Sequence, residues 1–548
     1  MRPATSWNRW TGRALALALV AGGCGGGTKR DAGGDAETQQ KGGTITVVGA
    51  YEPNSFNVKI PAKQTEANVN VMAGVWRGVW RMAPGSQLIL NSELMDSAEM
   101  TRTDPQTIVY KINPQAVWSD GMAVNADDFI YNWEASRPGA TDVDGSLIQS
   151  VGGIVGDQIA NVTGSDGGRT VTVVYKEPTV QWKGGLLFNT LVPAHVAKRV
   201  GWNTGFDRFD PDVVVSNGPF RIESYNPGRD ITLVRNERYW GTPAHLDRIV
   251  FRFTAQDVAP TAFQNGEGDL VTGHAIPDAV AQLRTLPGVT THFTPGRSQE
   301  YVGFNLRKEL LAVPEARRAF ALALDRRSIV SRVVGAVAEA DVVNSFLFAN
   351  HHPEYRDTSG GRYDRPDLTA AKRLLEGAGF ILGADGVYAK DGRRLSLRAR
   401  TLNHAPHDAA LLLVQAQVKA AGIELNIDNG APGVLGPQLQ RGDFDVELLS
   451  YGKNEFGNVT QFRPGNKWGY DNPRPNELIV QSNTELDEAK RRAMLEQADR
   501  ILWDDLPVVP LYHEPTLLAV RAVFVNVEPN PSGGPFWNVE QWARKAHA

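Results

Sequence analysis

Cys24 is the only cysteine among 548 residues, and ten histidines are spread along the chain. A single thiol excludes an internal disulfide and a multi-cysteine zinc cluster. The one adjacent imidazole pair, His351-His352, stands between Asn350 and Pro353 in a loop-like stretch with no carboxylate–histidine pattern beside it. It reads as a solvated or structural pair, not a metal site. There is no Gly-x-Ser-x-Gly elbow, no His-Glu-x-x-His pair and no Gly-x-Gly-x-x-Gly opening a helix. Glycines 25–27 lead into Thr28-Lys29, but a phosphate loop needs Gly-Lys-Ser/Thr between a strand and a helix. A Ser/His/Asp triad built from distant residues leaves no trace in sequence, so a hydrolase stays as a third reading. The expectation is a protein that is not an enzyme, with no metal and no cofactor.

Position gives Cys24 its meaning. Arg2, Arg9 and Arg13 form a positive start without an acid, followed by the apolar run 14–21 (ALALALVA), then Gly22, Gly23 and Cys24. Eight apolar residues are too few for a bilayer span of about 20, and they suit a signal-peptide core. The small-small-Cys ending resembles a bacterial lipobox, with Ala21 where that motif usually has Leu or Val. Cys24 is therefore the expected lipidation site, holding the mature chain on the outer face of the cell membrane. Removing residues 1–23 takes away three arginines and no acid, so the formal charge goes from -4 to -7. An acidic balance argues against nucleic acid and against adhesion to anionic lipid. Residues 25–43, glycine-rich and polar, read as a flexible tether.

The whole chain has the composition of a globular protein, 42% hydrophobic and 22% charged. Alternation predicts strands over 44–48, 107–112, 170–175, 220–225, 231–234 and 249–253. Asn125, with Asp128 three residues on, predicts a helix start that buries Phe129, Ile130 and Trp133. The second half is richer in helices. Pro314 opens one expected to run through Arg332, and another covers 369–378. A strand at 395–401, a helix at 408–421 and a strand at 423–427 form a unit that demands parallel pairing. Further strands are expected at 444–451 and 508–512, with a helix capped by Thr484 and Asp487 running to Leu502 between them.

Several short phrases stand in order along the chain. They are Val117-Trp118-Ser119-Asp120-Gly121 with Asn125-Ala126-Asp127-Asp128-Phe129, then Asn217-Gly218-Pro219-Phe220 and Asn236-Glu237-Arg238-Tyr239-Trp240-Gly241. Leu246-Asp247-Arg248-Ile249, Gly266-Glu267-Gly268-Asp269, Gly303-Phe304-Asn305 and residues 321–329 (ALALDRRSI) continue the series. Together they resemble the extracellular solute-binding proteins of family 5, the dipeptide-, oligopeptide- and nickel-binding components of ABC importers. The bland reading of each is turn chemistry or aromatic packing, so these residues report the fold and not ligand contacts.

The resemblance implies an α/β, two-lobed, periplasmic-binding-protein-like (Venus flytrap) fold. Lobe I would comprise 44–84, 216–303 and 516–548, with an extra strand-rich domain at 85–215 beside it. Lobe II would span 304–515, and the crossings near 303 and 515 would be the hinge. It further implies a monomer that captures a peptide or similar small solute and hands it to importer permease subunits.

In peptide-binding members an Asp after the strand that here reads 444–451 meets the peptide ammonium. Here Lys453 and Asn454 stand nearest that position, followed by Glu455, a substitute partner if the loop shifts by one residue. Asn54, Ser55 and Phe56 resemble a cleft-lining loop, and Tyr451 and Trp468 complete the expected ligand contacts. The missing Asp admits an alternative: a lipoprotein of the same fold that regulates envelope glycolipid or polysaccharide assembly, as some actinobacterial relatives do.

Overall fold

The computed structural model describes residues 39–546 apart from 185–187, 336–340, 403–404, 430–431 and 453–460. Cys24 and the expected export signal lie outside the described residues. Ten strands form one sheet: β1 (Thr44–Ala50), β2 (Phe220–Asn226), β3 (Asp230–Arg235), β4 (Arg248–Phe253), β5 (Leu270–His274), β6 (Val289–Phe304), β7 (Ser396–Thr401), β8 (Glu424–Ile427), β9 (Val446–Gly452) and β10 (Val508–Arg521). Their spatial order is β8-β7-β9-β6-β10-β5-β1-β4-β3-β2.

Two hydrophobic cores divide this sheet, and the fold is α/β and two-lobed. One gathers Ile45, Val47, Trp118, Phe220, Ile249, Leu270 and Leu518; the other gathers Val302, Phe320, Val414, Leu448, Trp503 and Val508. A smaller cluster, including Val48, Phe263, Val271 and Leu517, covers the back of β1 and β5. The four-stranded antiparallel sheet of 95–175 shares the first core through Ile108, Tyr110, Val171 and Val173.

Among the described residues β10 contributes to both cores, whereas β6 gives Tyr301, Val302 and Phe304 to the second and packs Val289 and Phe293 against the smaller cluster. The two strands pair antiparallel from Val289 opposite Arg521 to Gly303 opposite Val508, and the register breaks between Pro295 and Tyr301. Such a break bends and twists a strand pair. It lies opposite Pro510–Pro515. Gly303, near which the other crossing is expected, sits in regular pairing with Glu447 and Val508.

Local chemistry explains the helices. Helix α1 (Glu66–Met72) starts at Thr65, whose side chain accepts from the Asn68 N–H. Helix α2 (Ala126–Glu134) has the expected capping box of Asn125 and Asp128 and buries Phe129 and Trp133, while Ile130 is only half-buried. The helix expected from Pro314 to Arg332 is two helices, α3 (Pro314–Ala323) and α4 (Arg326–Val333). Leu324 is extended, and the Asp325 carboxylate accepts from the Ser328 N–H, a fresh N-cap that restarts the helix.

The predicted strand–helix–strand unit is present: β7, α5 (Ala405–Ala420) and β8, with β7 and β8 parallel. Helix α6 (Glu488–Asp505) is capped by Asp487 alone, which accepts from the Ala489 and Lys490 N–H groups. Among the described residues no helix is long and apolar enough to cross a membrane.

Candidate functional site

Strand direction locates the site. On one side β1 runs parallel to β4 and β5; on the other β7 runs parallel to β8 and β9. His274, the end of β5, lies opposite Thr516, and Gly452, the end of β9, lies opposite Ser298. The carboxyl ends of both parallel sets therefore converge on the register break from opposite sides. Ligands of open α/β sheets bind where such strand ends face a crevice. A small recess at the end of β1, lined by Gly49, Tyr51, Glu66, Asn70, Gln256 and Thr272, opens on the same edge.

Polar groups gather on the crossing strands at this point. Glu300 of β6 is fully buried, and its Oε2 lies 2.6 Å from Nε2 of His407 in the first turn of α5. Glu514 of β10 lies 3.2 Å from Nδ1 of His274. Burial pushes the Glu300 carboxyl up, with His407 opposing the shift. For His407, burial is the largest influence and works against its charge, but the hydrogen bond and charge of Glu300 leave the imidazole raised above 6.5. His274 is raised as well, chiefly by its hydrogen bond to Glu514. Tyr512 is 1% exposed, and burial followed by the charges of Glu300 and Glu514 drives its hydroxyl far above the ordinary range.

The residues singled out in the sequence divide into groups. Asn54 is exposed and exchanges hydrogen bonds with Asn68 of α1: its N–H donates to Oδ1 at 3.1 Å, and its Oδ1 accepts from Nδ2 at 2.8 Å. Ser55 and Phe56 turn inward. The Ser55 hydroxyl lies 3.5 Å from the Phe206 carbonyl, and Phe56 packs edge-on against Phe209 and Tyr225. They fix the loop from within.

Tyr451 is buried, its hydroxyl accepting from Gln299 Nε2 at 3.1 Å and contacting the Phe346 carbonyl at 3.3 Å. Trp468 is core: 1% exposed, stacked on Phe462, with its indole N–H donating to Glu447 at 2.7 Å. Glu447 also accepts from Tyr301 and pairs with Lys467, so it ties the segment after the loop to β9. Lys453, Asn454 and Glu455 lie outside the described residues.

Sequence reasoning missed Glu300, His407, His274, Tyr512 and Glu514. A signal existed: Gln299-Glu300 and His513-Glu514 interrupt apolar strands, and a charged residue rarely enters a core unless paired. Among the described residues, no three carboxylate, imidazole or thiol groups are arranged to hold a metal ion.

Two cores joined by two crossing strands, with parallel strand ends facing each other at the junction, define a two-lobed ligand-binding protein. Residues 90–506 match the family described as bacterial extracellular solute-binding proteins, family 5 Middle, and the chain belongs to that family. The oligopeptide-binding protein OppA of Mycobacterium tuberculosis is 28% identical over 512 residues, covering 90% of this chain and 83% of the relative. The solved structure of the periplasmic EDTA-binding protein EppA shares 27% identity with a TM-score of 0.85, covering 93% of this chain and 98% of that one. The oligopeptide-binding protein AppA from Bacillus subtilis, solved with a nonapeptide, has the same fold at 20% identity, with a TM-score of 0.74 over 93% of this chain and 100% of that one.

Proposed function

We propose that this chain is the receptor of an ABC importer, closing two lobes over a peptide or similar small solute outside the cytoplasm and presenting the closed form to a membrane permease. The observation that carries this reading is the convergence of parallel strand ends from two separate cores on one break in the strands that join them. Ligand contacts with both sides draw the lobes together, and binding energy selects the closed state. The OppA relative and the nonapeptide complex of AppA support a peptide as the guest.

In this reading residues 44–84, 216–303 and 516–548 form lobe I, 85–215 an extra domain and 304–515 lobe II. Asn54 meets the ligand from one side, and Lys453, Asn454 and Glu455 on the loop after β9 meet it from the other. The protein works as a monomer anchored by lipid on Cys24.

Native mass spectrometry of the protein purified from its host tests the proposal, since such a crevice retains its guest. A retained peptide supports it, with Glu455→Ala then weakening binding by about tenfold, the scale of one charge-assisted hydrogen bond. A retained glycolipid would move the reading to envelope assembly. An unchanged radius of gyration when ligand is added, measured by X-ray scattering, would count against closure.

A further inference from the structure

The lobes meet a second time, away from the crossing strands. A turn after the four-stranded sheet, Val180–Trp182, packs on the first core, with the Trp182 ring edge-on to Trp80 and the centroids 5.7 Å apart. Gln106 of that sheet holds the turn. Its Oε1 accepts from the Thr179 N–H at 2.8 Å, and its Nε2 donates to the Thr179 carbonyl at 3.0 Å. Facing the turn is Asn483, which closes the helix Arg474–Ser482, and Leu478 and Ile479 of that helix belong to the second core. The Val180 N–H donates to the Asn483 carbonyl at 2.9 Å, and Gln181 Nε2 donates to Asn483 Oδ1 at 3.2 Å. Gln106, Thr179, Gln181 and Asn483 are all buried.

A neighbouring approach extends this seam. Gly184 follows the turn, and an added Cβ there would stand 2.3 Å from Leu88, on the hairpin of Trp80–Ala83 and Gln87–Leu90. In the bend of that hairpin the Ser86 hydroxyl lies 2.6 Å from the Ser532 hydroxyl, which lies 3.5 Å from Nε2 of His351. His351 follows Phe346, Leu347 and Phe348 of the second core. The two bonds to Asn483 join uncharged groups, and water can replace either partner when they part. Each such bond is worth about two- to tenfold in an equilibrium, enough to bias an opening and too little to forbid it. The 2.9 Å bond is lost once its atoms stand beyond about 3.5 Å, so a modest rotation at the register break separates the seam.

We propose that the turn at Val180 and Gln181, with Asn483, forms a latch that holds the lobes together around the bound ligand. This rests on the receptor reading and names the contact that favours its closed state. It also gives the small sheet of 95–175 a task, because Gln106 of that sheet carries the turn. The latch forms as the ligand draws the lobes together and parts as they open. By favouring the closed state it slows ligand release without touching the ligand.

Two variants of the full exported chain test this. Cys24 is the only cysteine, so Cys24→Ser/Gln181→Cys/Asn483→Cys carries two thiols, one on each side of the seam. A short bismaleimide should join them about fivefold faster or more when the protein is loaded with a tryptic casein digest than when it is stripped of ligand, as intact mass reads. Gln181→Ala should lose retained casein peptides about two- to tenfold faster than the native chain, followed by mass spectrometry after gel filtration. Thermal midpoints confirm that each variant folds, and either variant alone decides the outcome.

A cross-linking rate indifferent to ligand, in a chain that retains peptides, makes the seam a permanent contact. That result overturns the latch and leaves the receptor reading standing. Release from Gln181→Ala at the native rate overturns the latch as well. No peptide retained by the native chain overturns both.

Discussion

Glu300 Oε2 and His407 Nε2 approach to 2.6 Å although 107 positions separate them, joining a strand that runs through both lobes to the first turn of a helix in the second. The pair is buried on both sides, so its state is felt by the fold as well as by a ligand. Its imidazole has a folded-state pKa raised above 6.5.

The pH dependence follows from that direction. A raised imidazole contributes stability that is fully present below about 6.5 and is lost as pH rises through the folded value. Thermal melts should therefore show the midpoint falling between about pH 6 and 8. In the double variant Glu300→Gln/His407→Gln that fall should be smaller, and an unchanged slope would show that the pair is not its source.

Glu447 is buried beneath three donors, Tyr301, Trp468 and Lys467. Glu447→Ala leaves a half-buried cation and two polar groups without their acceptor and should cost about 3 kcal/mol in equilibrium urea unfolding. Glu447→Gln, which keeps an acceptor for the indole and phenol, should lose less. A loss under about 1 kcal/mol in the alanine variant would mean that Lys467 reaches solvent at little cost.

Gly296 lies within the register break, where an added Cβ would stand 2.3 Å from the Glu514 carbonyl oxygen. That neighbour is backbone, so the strands must separate to admit a methyl group. Gly296→Ala should lower stability by about 1–3 kcal/mol and shift the ligand-free radius of gyration. Identical scattering curves would show that the break does not set the angle between the lobes.

Cys24→Ser should abolish labelling by a fatty-acid analogue and move the protein from the membrane fraction to the medium. Continued labelling of the variant would exclude Cys24 as the anchor.

The architecture was largely legible because its signals are local. Alternating residues gave β1, β3 and β4; Asn125 and Asp128 gave α2; the β7–α5–β8 unit followed from a change of periodicity. Local signals failed where two of them competed. Pro314 and an apolar stripe favoured one long helix, yet Asp325 supplies a second start that the stripe conceals.

Sequence by itself determined the acidic balance and the alternation that builds the strands, since these are read directly from residue types and near neighbours. Tertiary structure alone decided that Phe56 and Trp468 serve cores, that the pairing of β6 with β10 breaks between Pro295 and Tyr301, and that Glu300 meets His407. Those outcomes depend on which face of a strand is covered and on which distant element covers it. Residue spacing cannot encode that, because burial and charge pairing are properties of the packed chain.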